Sequence, residues 1–436
     1  MTMLTRKRIK IPEKLVALRW QRLLGKELTT EEGERVRIIY PGRINGDSGP
    51  DFRDAIIAIN ESLVKGDVEI HVKSSDWYGH GHHGDPEYNG VILHVVLRHD
   101  CNSATLRQDG KPVPVACLSH ELGHRAHHLP CFQITKRKDK QSLGKLLGIA
   151  GKERFKQKAI RFQASLRQEE AGQVLFQGMM RALGYSRNMV PFEELARRVP
   201  LNFVEKMEPR ESLILKQAWL LGAAGLLPSQ RLQGKFLKEK EVRDLEQIWQ
   251  LVGKEAKTMN ESDWRFSHVY PCNSPVRRII AQSYILQRYH KMGLLMGILQ
   301  LVKETPLIAG YRGLEDGLIV FGNAYWQDHC AFEVGPNVRK SALLGHGKGG
   351  EIGVNVILPF TFSWAEIAAE PELKEKAIEL YVRYPKLAEN EITRHMARQL
   401  CLEDTSGLTA CHQQGLIHIF RNYCREGRCT DCPLAS

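Results

Sequence analysis

The sequence lacks any run of about 18 consecutive apolar residues, the length that a membrane-spanning helix requires. Its first residues, MTMLTRKRIKIPEKL, are basic but contain no apolar core and no small-residue cleavage site of the kind found in secretory signals. Internal repeats and low-complexity tails are absent as well, so neither a solenoid nor a disordered chain is expected. We therefore predict a cytoplasmic protein with no membrane partner.

The length and the composition indicate a globular protein with more than one core. The chain has 436 residues, too many for one ordinary hydrophobic core, so two or three domains are expected. Apolar residues make up 42% and charged residues 26%, which is typical of globular chains. The net charge of +12 favours a polyanionic partner such as DNA or RNA, and it says nothing about the oligomeric state.

The excess positive charge is concentrated in one segment, residues 132–170, which has eleven Lys or Arg and four Asp or Glu. Phe155, Ala159, Phe162 and Leu166 recur there at the spacing of one helix face. The pattern predicts a helix whose basic outer face is either simply solvated or in contact with phosphate groups. The candidate nucleic-acid-binding residues are Lys136, Arg137, Lys138, Lys152, Arg154 and Lys158.

Hydrophobic periodicity separates a mixed N-terminal part from a helical remainder. An amphipathic helix over 11–24 precedes strands over 34–40, 55–59, 67–73 and 91–97, and VPVACL is compatible with a further strand near 113–118. The fold class is therefore an α+β or α/β domain with a mixed central sheet, followed by a mainly α-helical region and a Cys-rich C-terminal segment. The predicted domains are 1–131, 132–309 and 310–436.

Two carboxylates fall on neighbouring predicted strands. Asp51 shortly precedes the predicted strand 55–59. Glu69 lies on one face of the next predicted strand, 67–73, together with His71 and Lys73. Adjacent strands lie about 4.8 Å apart, so the two carboxylates can share one Mg²⁺, with Lys73 or His71 assisting a water molecule. His94 interrupts an apolar strand and is either a core histidine bonded to the backbone or part of the same site.

This arrangement resembles the PD-(D/E)xK nuclease superfamily, in which an Asp after Pro begins one strand and an acid-x-Lys pattern lies on the next. The resemblance implies Mg²⁺-dependent cleavage of phosphodiester bonds, with Asp51 and Glu69 as metal ligands and Glu13 as an extra acid. His71 stands where that superfamily has Lys, and Lys73 lies two residues further along the same face. A nuclease-like fold without activity is the alternative that this departure leaves open.

The polar stretch HGHHGD invites a separate interpretation. His80, His82 and Asp85 offer the imidazole and carboxylate ligands that Zn²⁺ accepts. The stretch is rich in Gly, however, and neighbouring histidines in such loops are more often solvated. We therefore expect a solvated loop and keep the zinc site as the alternative.

At the level of the whole chain, several segments are similar to an uncharacterised bacterial family, domain-of-unknown-function family 2851. The similar segments are GPDFRDA, GDVEIH, SSDW, YNGVILHVV, LGYSRNMVPFEELA and QGLIHIFRNYC. The resemblance covers nearly the whole chain and implies no established activity. It indicates one evolutionary unit rather than a fusion.

The cysteines are unevenly distributed. Isolated cysteines such as Cys272 and Cys330 are typical small core residues, whereas Cys411, Cys424, Cys429 and Cys432 have the close spacing of metal ligands. Both Zn²⁺ and a 4Fe–4S cluster fit this spacing, and in either case the metal would be structural.

The tail also resembles the terminal cluster loop of helix-hairpin-helix DNA glycosylases, with a shorter first gap and without the last Cys of that loop. The fourth ligand would then be Cys411, Cys401 or His412, or would come from the N-terminal half. Some PD-(D/E)xK nucleases close a C-terminal Cys trio with a distant Cys. That similarity makes Cys101, Cys117 and Cys131 candidates as well.

These observations lead to one functional expectation with two alternatives. The first is a Mg²⁺-dependent nuclease, or a nuclease-like protein, acting on DNA or RNA. The second is a non-catalytic nucleic-acid-binding or scaffold protein with a structural Zn²⁺ or 4Fe–4S site. The third is a hydrolase of other substrates built on the histidine cluster.

Overall fold

The alternating N-terminal segments form one mixed sheet in the structure, a computed structural model. The structure describes residues 12–120, 131, 140–185, 187–207, 212–231, 239–266, 273–308, 310–332, 342–402 and 405–434. Within them the strands are β1 Glu27–Thr29, β2 Arg35–Tyr40, β3 Arg43–Ile44, β4 Phe52–Ile59, β5 Ser62–Lys73, β6 Val91–Arg98 and β7 Val115–Cys117. Their order in the sheet is β1-β2-β4-β5-β6-β7, with β3 paired to β4.

The sheet combines both strand directions, which confirms the predicted mixed sheet. β1, β2, β4 and β5 pair antiparallel, whereas β5 with β6 and β6 with β7 pair parallel. A bridge between Thr30 and Ala116 also joins the two ends of the sheet. Parallel neighbours need a crossover, and the polar stretch after β5 supplies it with the short helix Asp76–Gly79 and the 3₁₀ turns His82–Gly84 and Pro86–Gly90.

β5 begins earlier than the sequence predicts. Asn60 and Glu61, with φ of 46° and 70°, form a tight left-handed turn that joins β4 directly to β5. Two successive positive φ values are typical of the hairpin turns that match strand twist, and Asn tolerates them well. The residues after Glu61 therefore pair with β4 instead of forming a loop.

Alternation along β5 separates the core from the site. Val68 and Ile70 pack with Val16 and Trp20 of helix α1 (Glu13–Gln21) in the hydrophobic core of this part. Trp20 is fully buried, and its indole N–H donates to the Pro41 carbonyl at 2.9 Å. Because successive side chains point to opposite faces of a strand, Glu69 and His71 face away from this core.

Contacts divide the chain into two compact units. The first contains 1–146, 389–405 and 416–436, and the second contains 147–388 and 406–415. The region that the sequence treats as a third domain, 310–436, is thus divided between both units. Its segments 389–405 and 416–436 belong with the sheet.

The remainder of the chain is mainly helical, as predicted. Its longer helices are Lys140–Leu166, Ala171–Leu183, Met189–Arg198, Ser212–Ala223, Lys240–Val252, Pro275–Arg288, Leu294–Glu304, Leu358–Ile367, Pro371–Arg383, Glu391–Gln399 and Ala410–Ile419. Shorter helices are Leu201–Glu205, Pro228–Arg231, Tyr311–Asp316, Ala324–Asp328 and His346–Ile352, and π-helical turns cover Gly353–Ile357 and Phe420–Cys424. No helix in the part of the chain that the structure describes is both long and apolar enough to cross a bilayer.

Acid is expected to destabilise the first unit through His395. Its ring lies against Tyr40 and Phe420, with ring centroids 4.9 and 5.4 Å away. Burial, with help from the Arg398 charge, lowers the pKa of His395 to about 3. The unfolded chain therefore takes up this proton first, and stability falls as the pH drops from about 6.5 towards 3, by up to about 1.4 kcal/mol per pH unit.

The measurement is the free energy of unfolding between about pH 4 and pH 7 for the wild type and His395→Phe. The substitution is expected to flatten the pH dependence, while the same change at the exposed His83 leaves it intact. Equal slopes in the wild type and His395→Phe would contradict this assignment.

Candidate functional site

Asp51 and Glu69 are held together by backbone hydrogen bonds. Asp51 lies just before β4, and its N–H donates to Glu69 Oε2 at 2.9 Å. The Ile70 N–H in turn donates to Asp51 Oδ2 at 3.1 Å. Burial raises the pKa of Asp51 to about 7, and the negative charge of Glu69 adds to the increase. The two acids predicted from neighbouring strands therefore share one partly buried site.

The second oxygen of Glu69 faces a group of histidines. Glu69 Oε1 lies 3.3 Å from His82 Nε2 and 3.6 Å from His71 Nε2. His71 Nε2 lies 3.1 Å from His80 Nδ1 and 3.3 Å from His82 Nε2. Among the described residues, His71, His80 and His82 form the group of metal-ligating side chains whose donor atoms all lie within 4.8 Å of one another.

These spacings suit a small transition-metal ion. Zn²⁺ binds imidazole nitrogens and carboxylate oxygens at about 2.0–2.2 Å, which gives tetrahedral ligand–ligand distances of about 3.3–3.6 Å. The separations of His71 from His80 and His82, and of Glu69 from His71 and His82, are 3.1–3.6 Å and match that value. His80 is exposed whereas His71 and His82 are buried, so the group is reachable from solvent on one side.

The crossover after β5 places His80 and His82 beside His71. Asp76 begins a one-turn helix and accepts from the Lys73 N–H at 3.0 Å, which turns the chain as soon as β5 ends. Gly81 then adopts a left-handed φ of 78°, a conformation that glycine reaches without strain. The Tyr88 ring stacks on His82 at 3.8 Å between centroids and fixes that imidazole.

His94 supports His71 from the neighbouring strand. Glu69 and His94 are paired in the register of β5 and β6, and His94 Nε2 lies 2.9 Å from His71 Nδ1. Burial lowers the pKa of His71 to about 2 and that of His94 to about 3. Both rings are therefore neutral near pH 7, and a His71 that donates from Nδ1 keeps the lone pair of Nε2 directed at the other donors.

The structure brings most of the predicted site residues together, but not all of them. Asp51, Glu69, His71 and His94 meet, whereas Lys73 is exposed and its Nζ lies 3.4 Å from Asp100 Oδ2. Asp85 caps the turn Pro86–Gly90 by accepting from the Glu87 N–H at 2.9 Å.

Sequence reasoning gave His80 and His82 only as ligands of an alternative zinc site, since a solvated loop was expected there. Their signal was positional. β5 ends two residues after His71, and the connection to β6 begins there. Its first turns therefore lie near the end of β5 that carries His71.

Glu13 also lies near this group. It begins helix α1, and burial raises its pKa while the charges of His80 and His82 lower it and those of Asp76 and Glu69 raise it. The carboxylate that the superfamily resemblance suggested as an extra acid is thus close enough to act electrostatically on the site.

The predicted basic face is only partly solvated. Lys136, Arg137 and Lys138 lie outside the described residues. Lys152 is exposed. Arg154 and Lys158 are turned towards protein acceptors. Arg154 Nε donates to Gln414 Oε1 at 2.7 Å, and Lys158 Nζ donates to Asn355 Oδ1 at 2.6 Å and to Gln414 Oε1 at 2.8 Å. A nucleic-acid interface on this helix remains a prediction, and among the described candidates Lys152 is the most exposed.

The predicted cysteine ligands lie in different surroundings. Cys411 belongs to the second unit and has its Sγ 3.5 Å from the Gly148 carbonyl oxygen. Cys424, Cys429 and Cys432 belong to the first unit, as does Cys131.

The sheet and its imidazole–carboxylate group define a two-unit protein with a candidate metal centre on its first unit. A family model described as "Protein of unknown function (DUF2851)" matches residues 13–390, and the chain belongs to that family. This match confirms the resemblance to the family over residues 13–390. No curated protein and no solved structure matches the chain.

Proposed function

We propose that the chain is a metal-dependent phosphodiesterase of the nuclease type, with its metal held by His71, His80, His82 and Glu69. The observation that carries the proposal is the position of Glu69, which has one oxygen 2.9 Å from the Asp51 N–H and the other 3.3 Å from His82 Nε2. A carboxylate shared between a second acid and a group of imidazoles is a donor set that suits a divalent metal.

The donors favour a first-row transition metal over the Mg²⁺ expected from the sequence. Mg²⁺ takes oxygen ligands and keeps several waters, whereas imidazole suits Zn²⁺, Fe²⁺, Ni²⁺ and Cu²⁺. The burial that lowers the pKa of His71 to about 2 keeps this ring available as a neutral ligand at physiological pH.

The order of the strands supports phosphodiester chemistry in particular. Asp51 precedes β4, Glu69 lies on the antiparallel neighbour β5, and a short crossover leads to the parallel strand β6. The nuclease superfamily that the sequence resembles places its acids in the same order. Fold-level likeness alone does not give an activity, so the proposal depends on the site.

The residues of the chain would divide the work. When bound, the metal ion would polarise a phosphoryl oxygen and activate a water molecule. Asp51 lies beside the ligands and is placed to accept the proton of the attacking water. His94 is a positioning residue. Its recorded hydrogen bond is with His71, and it makes none with the other proposed ligands in the described part of the chain.

The second candidate, a nuclease-like protein without activity, is favoured by one observation. Lys73 is exposed and paired with Asp100, and His71 occupies the position of the superfamily's lysine. With Lys73 paired to Asp100, the metal would offset negative charge in the transition state without the help of this ammonium group.

The test is a cleavage assay on single- and double-stranded DNA and RNA with chelator-treated full-length protein, to which Zn²⁺, Mn²⁺ or Mg²⁺ is added back. We expect cleavage that returns most strongly with Zn²⁺ and is lost in His82→Ala. Protein that binds the metal and nucleic acid but leaves all four substrates intact would replace the proposal with the non-catalytic candidate.

A further inference from the structure

The C-terminal tail folds back on itself so that its cysteines converge. The π-helical turn Phe420–Cys424 ends at Cys424, whose carbonyl accepts from the Gly427 N–H at 3.2 Å. Gly427 has a left-handed φ of 64°, which reverses the chain. The Cys432 N–H then donates to the Cys429 carbonyl at 3.3 Å in a second turn. Both turns bring the later thiols towards Cys424.

A fourth thiol arrives from far away in the sequence. The Gln399 side-chain amide Nε2 lies 3.1 Å from Cys131 Sγ and 3.9 Å from Cys424 Sγ, so one amide nitrogen links the two sulfurs. Burial raises the pKa of Cys424, and the thiols of Cys131, Cys432 and Cys429 raise it further. The thiols of Cys131, Cys429 and Cys432 thus lie close enough to Cys424 to act on it electrostatically.

We propose that Cys131, Cys424, Cys429 and Cys432 bind a thiophilic metal centre, either Zn²⁺ or a 4Fe–4S cluster, as its four thiolate ligands. Both centres take four cysteine thiolates, and spacings such as Cys-x₂-Cys let neighbouring sulfurs reach one centre. Gln399 acts on the centre by donating to ligand sulfurs.

Cys411 lies outside this site. Its Sγ is 3.5 Å from the Gly148 carbonyl oxygen, and a Cβ on Gly151 would meet the Cys411 carbonyl oxygen at 2.1 Å. A Cβ on Gly151 would also meet Cys411 Sγ at 2.8 Å, so the buried Cys411 side chain packs directly against Gly151 in a close contact with helix Lys140–Leu166. The fourth ligand comes instead from the N-terminal half, as one of the alternatives from the sequence suggested.

The centre would attach the tail to the sheet unit. Residues after Cys424 have few apolar side chains, and their recorded contacts to β5 include Lys65 Nζ to Glu426 Oε2 at 2.8 Å. An exposed ion pair of this kind contributes little stability. Four metal–sulfur bonds would join Cys131 to the tail and so attach the tail more firmly to the unit that contains the sheet. This inference is independent of the proposed activity, because it concerns different ligands.

The experiment measures zinc, iron and acid-labile sulfide in full-length protein purified without oxygen, together with the visible spectrum. His82→Ala serves as the background so that zinc at the histidine site does not contribute. One zinc per chain in a colourless protein, or four irons with a broad visible absorption band, supports the site and identifies the centre. Absence of both metals overturns the proposal.

Cysteine variants identify the fourth ligand. Cys131→Ser and Cys432→Ser are expected to lose the metal, whereas the matched control Cys411→Ser retains it. Retention in Cys131→Ser together with loss in Cys411→Ser would overturn the assignment.

Because a ligand variant can fail to fold, thiol alkylation of the wild type followed by mass spectrometry gives a second measurement. Cys131, Cys424, Cys429 and Cys432 should be protected until a chelator is added, while the exposed Cys401 reacts from the start. Equal reactivity of Cys131 and Cys401 before chelation would contradict the proposal.

Discussion

Glu69→Gln is expected to remove the metal from the histidine site and to reduce phosphodiester cleavage by at least about a hundredfold, since a metal supplies several kcal/mol of transition-state stabilisation. The amide keeps the shape of the side chain and an oxygen that can accept from the Asp51 N–H. It removes the negative charge that lies 3.3 Å from His82 Nε2 and 3.6 Å from His71 Nε2. The effect therefore reports on charge and ligation rather than on packing.

The measurement pairs metal content with cleavage rates over a series of metal concentrations. Lys73→Ala is the matched control, because Lys73 lies on the same strand but is exposed and paired with Asp100. We expect it to retain both metal and activity. His94→Gln should lie between the two, with about 10- to 100-fold weaker metal binding, as is typical when the partner of a ligating histidine is changed. Full metal occupancy and unchanged rates in Glu69→Gln would rule out this site.

The acids of this site were predictable from the sequence because their spacing follows strand geometry. Period-two alternation places Glu69 and His71 on one face of β5, and Pro50-Asp51 directly precedes the adjacent strand. The same local logic predicts the α1 helix and the mixed sheet. The start of β5 was harder to place, because the left-handed turn at Asn60 and Glu61 resembles a longer loop when only composition is considered.

The histidines and the fourth cysteine were not predictable in the same way, because they depend on long-range contacts. His80 and His82 lie in a Gly-rich stretch without periodicity, and only the crossover to β6 places them beside His71. The Gln399 side chain links Cys131 to Cys424. The three residues are far apart in the sequence, so local spacing does not predict that they lie together. Sequence patterns describe single elements well, whereas a site assembled from several elements depends on how the chain folds back.

Arg277→Ala is expected to lower the free energy of unfolding of the second unit by about 3–5 kcal/mol, because each buried carbonyl that loses its donor costs about 1–3 kcal/mol. The Arg277 side chain is fully buried, and its Nη1 donates to the carbonyls of Trp326 and His329, each at 2.7 Å. Its Nη2 donates to the Ala342 carbonyl at 3.4 Å. The guanidinium therefore joins helix Pro275–Arg288 to the end of helix Ala324–Asp328 and to the segment at Ala342, and its loss leaves these carbonyls without their donor.

Hydrogen exchange of the helices in the second unit, combined with denaturant unfolding followed by tryptophan fluorescence, measures this loss. Arg288→Ala is the matched control on the same helix, since Arg288 also donates to carbonyls, those of Asp316, Gly317 and Ile319, but is exposed. Its loss should cost only about 1 kcal/mol, because water replaces the missing donor. Arg277→Lys should recover part of the stability, since an ammonium group cannot reproduce the planar fork that reaches all three carbonyls. Equal losses in Arg277→Ala and Arg288→Ala would show that burial does not determine the contribution of this arginine.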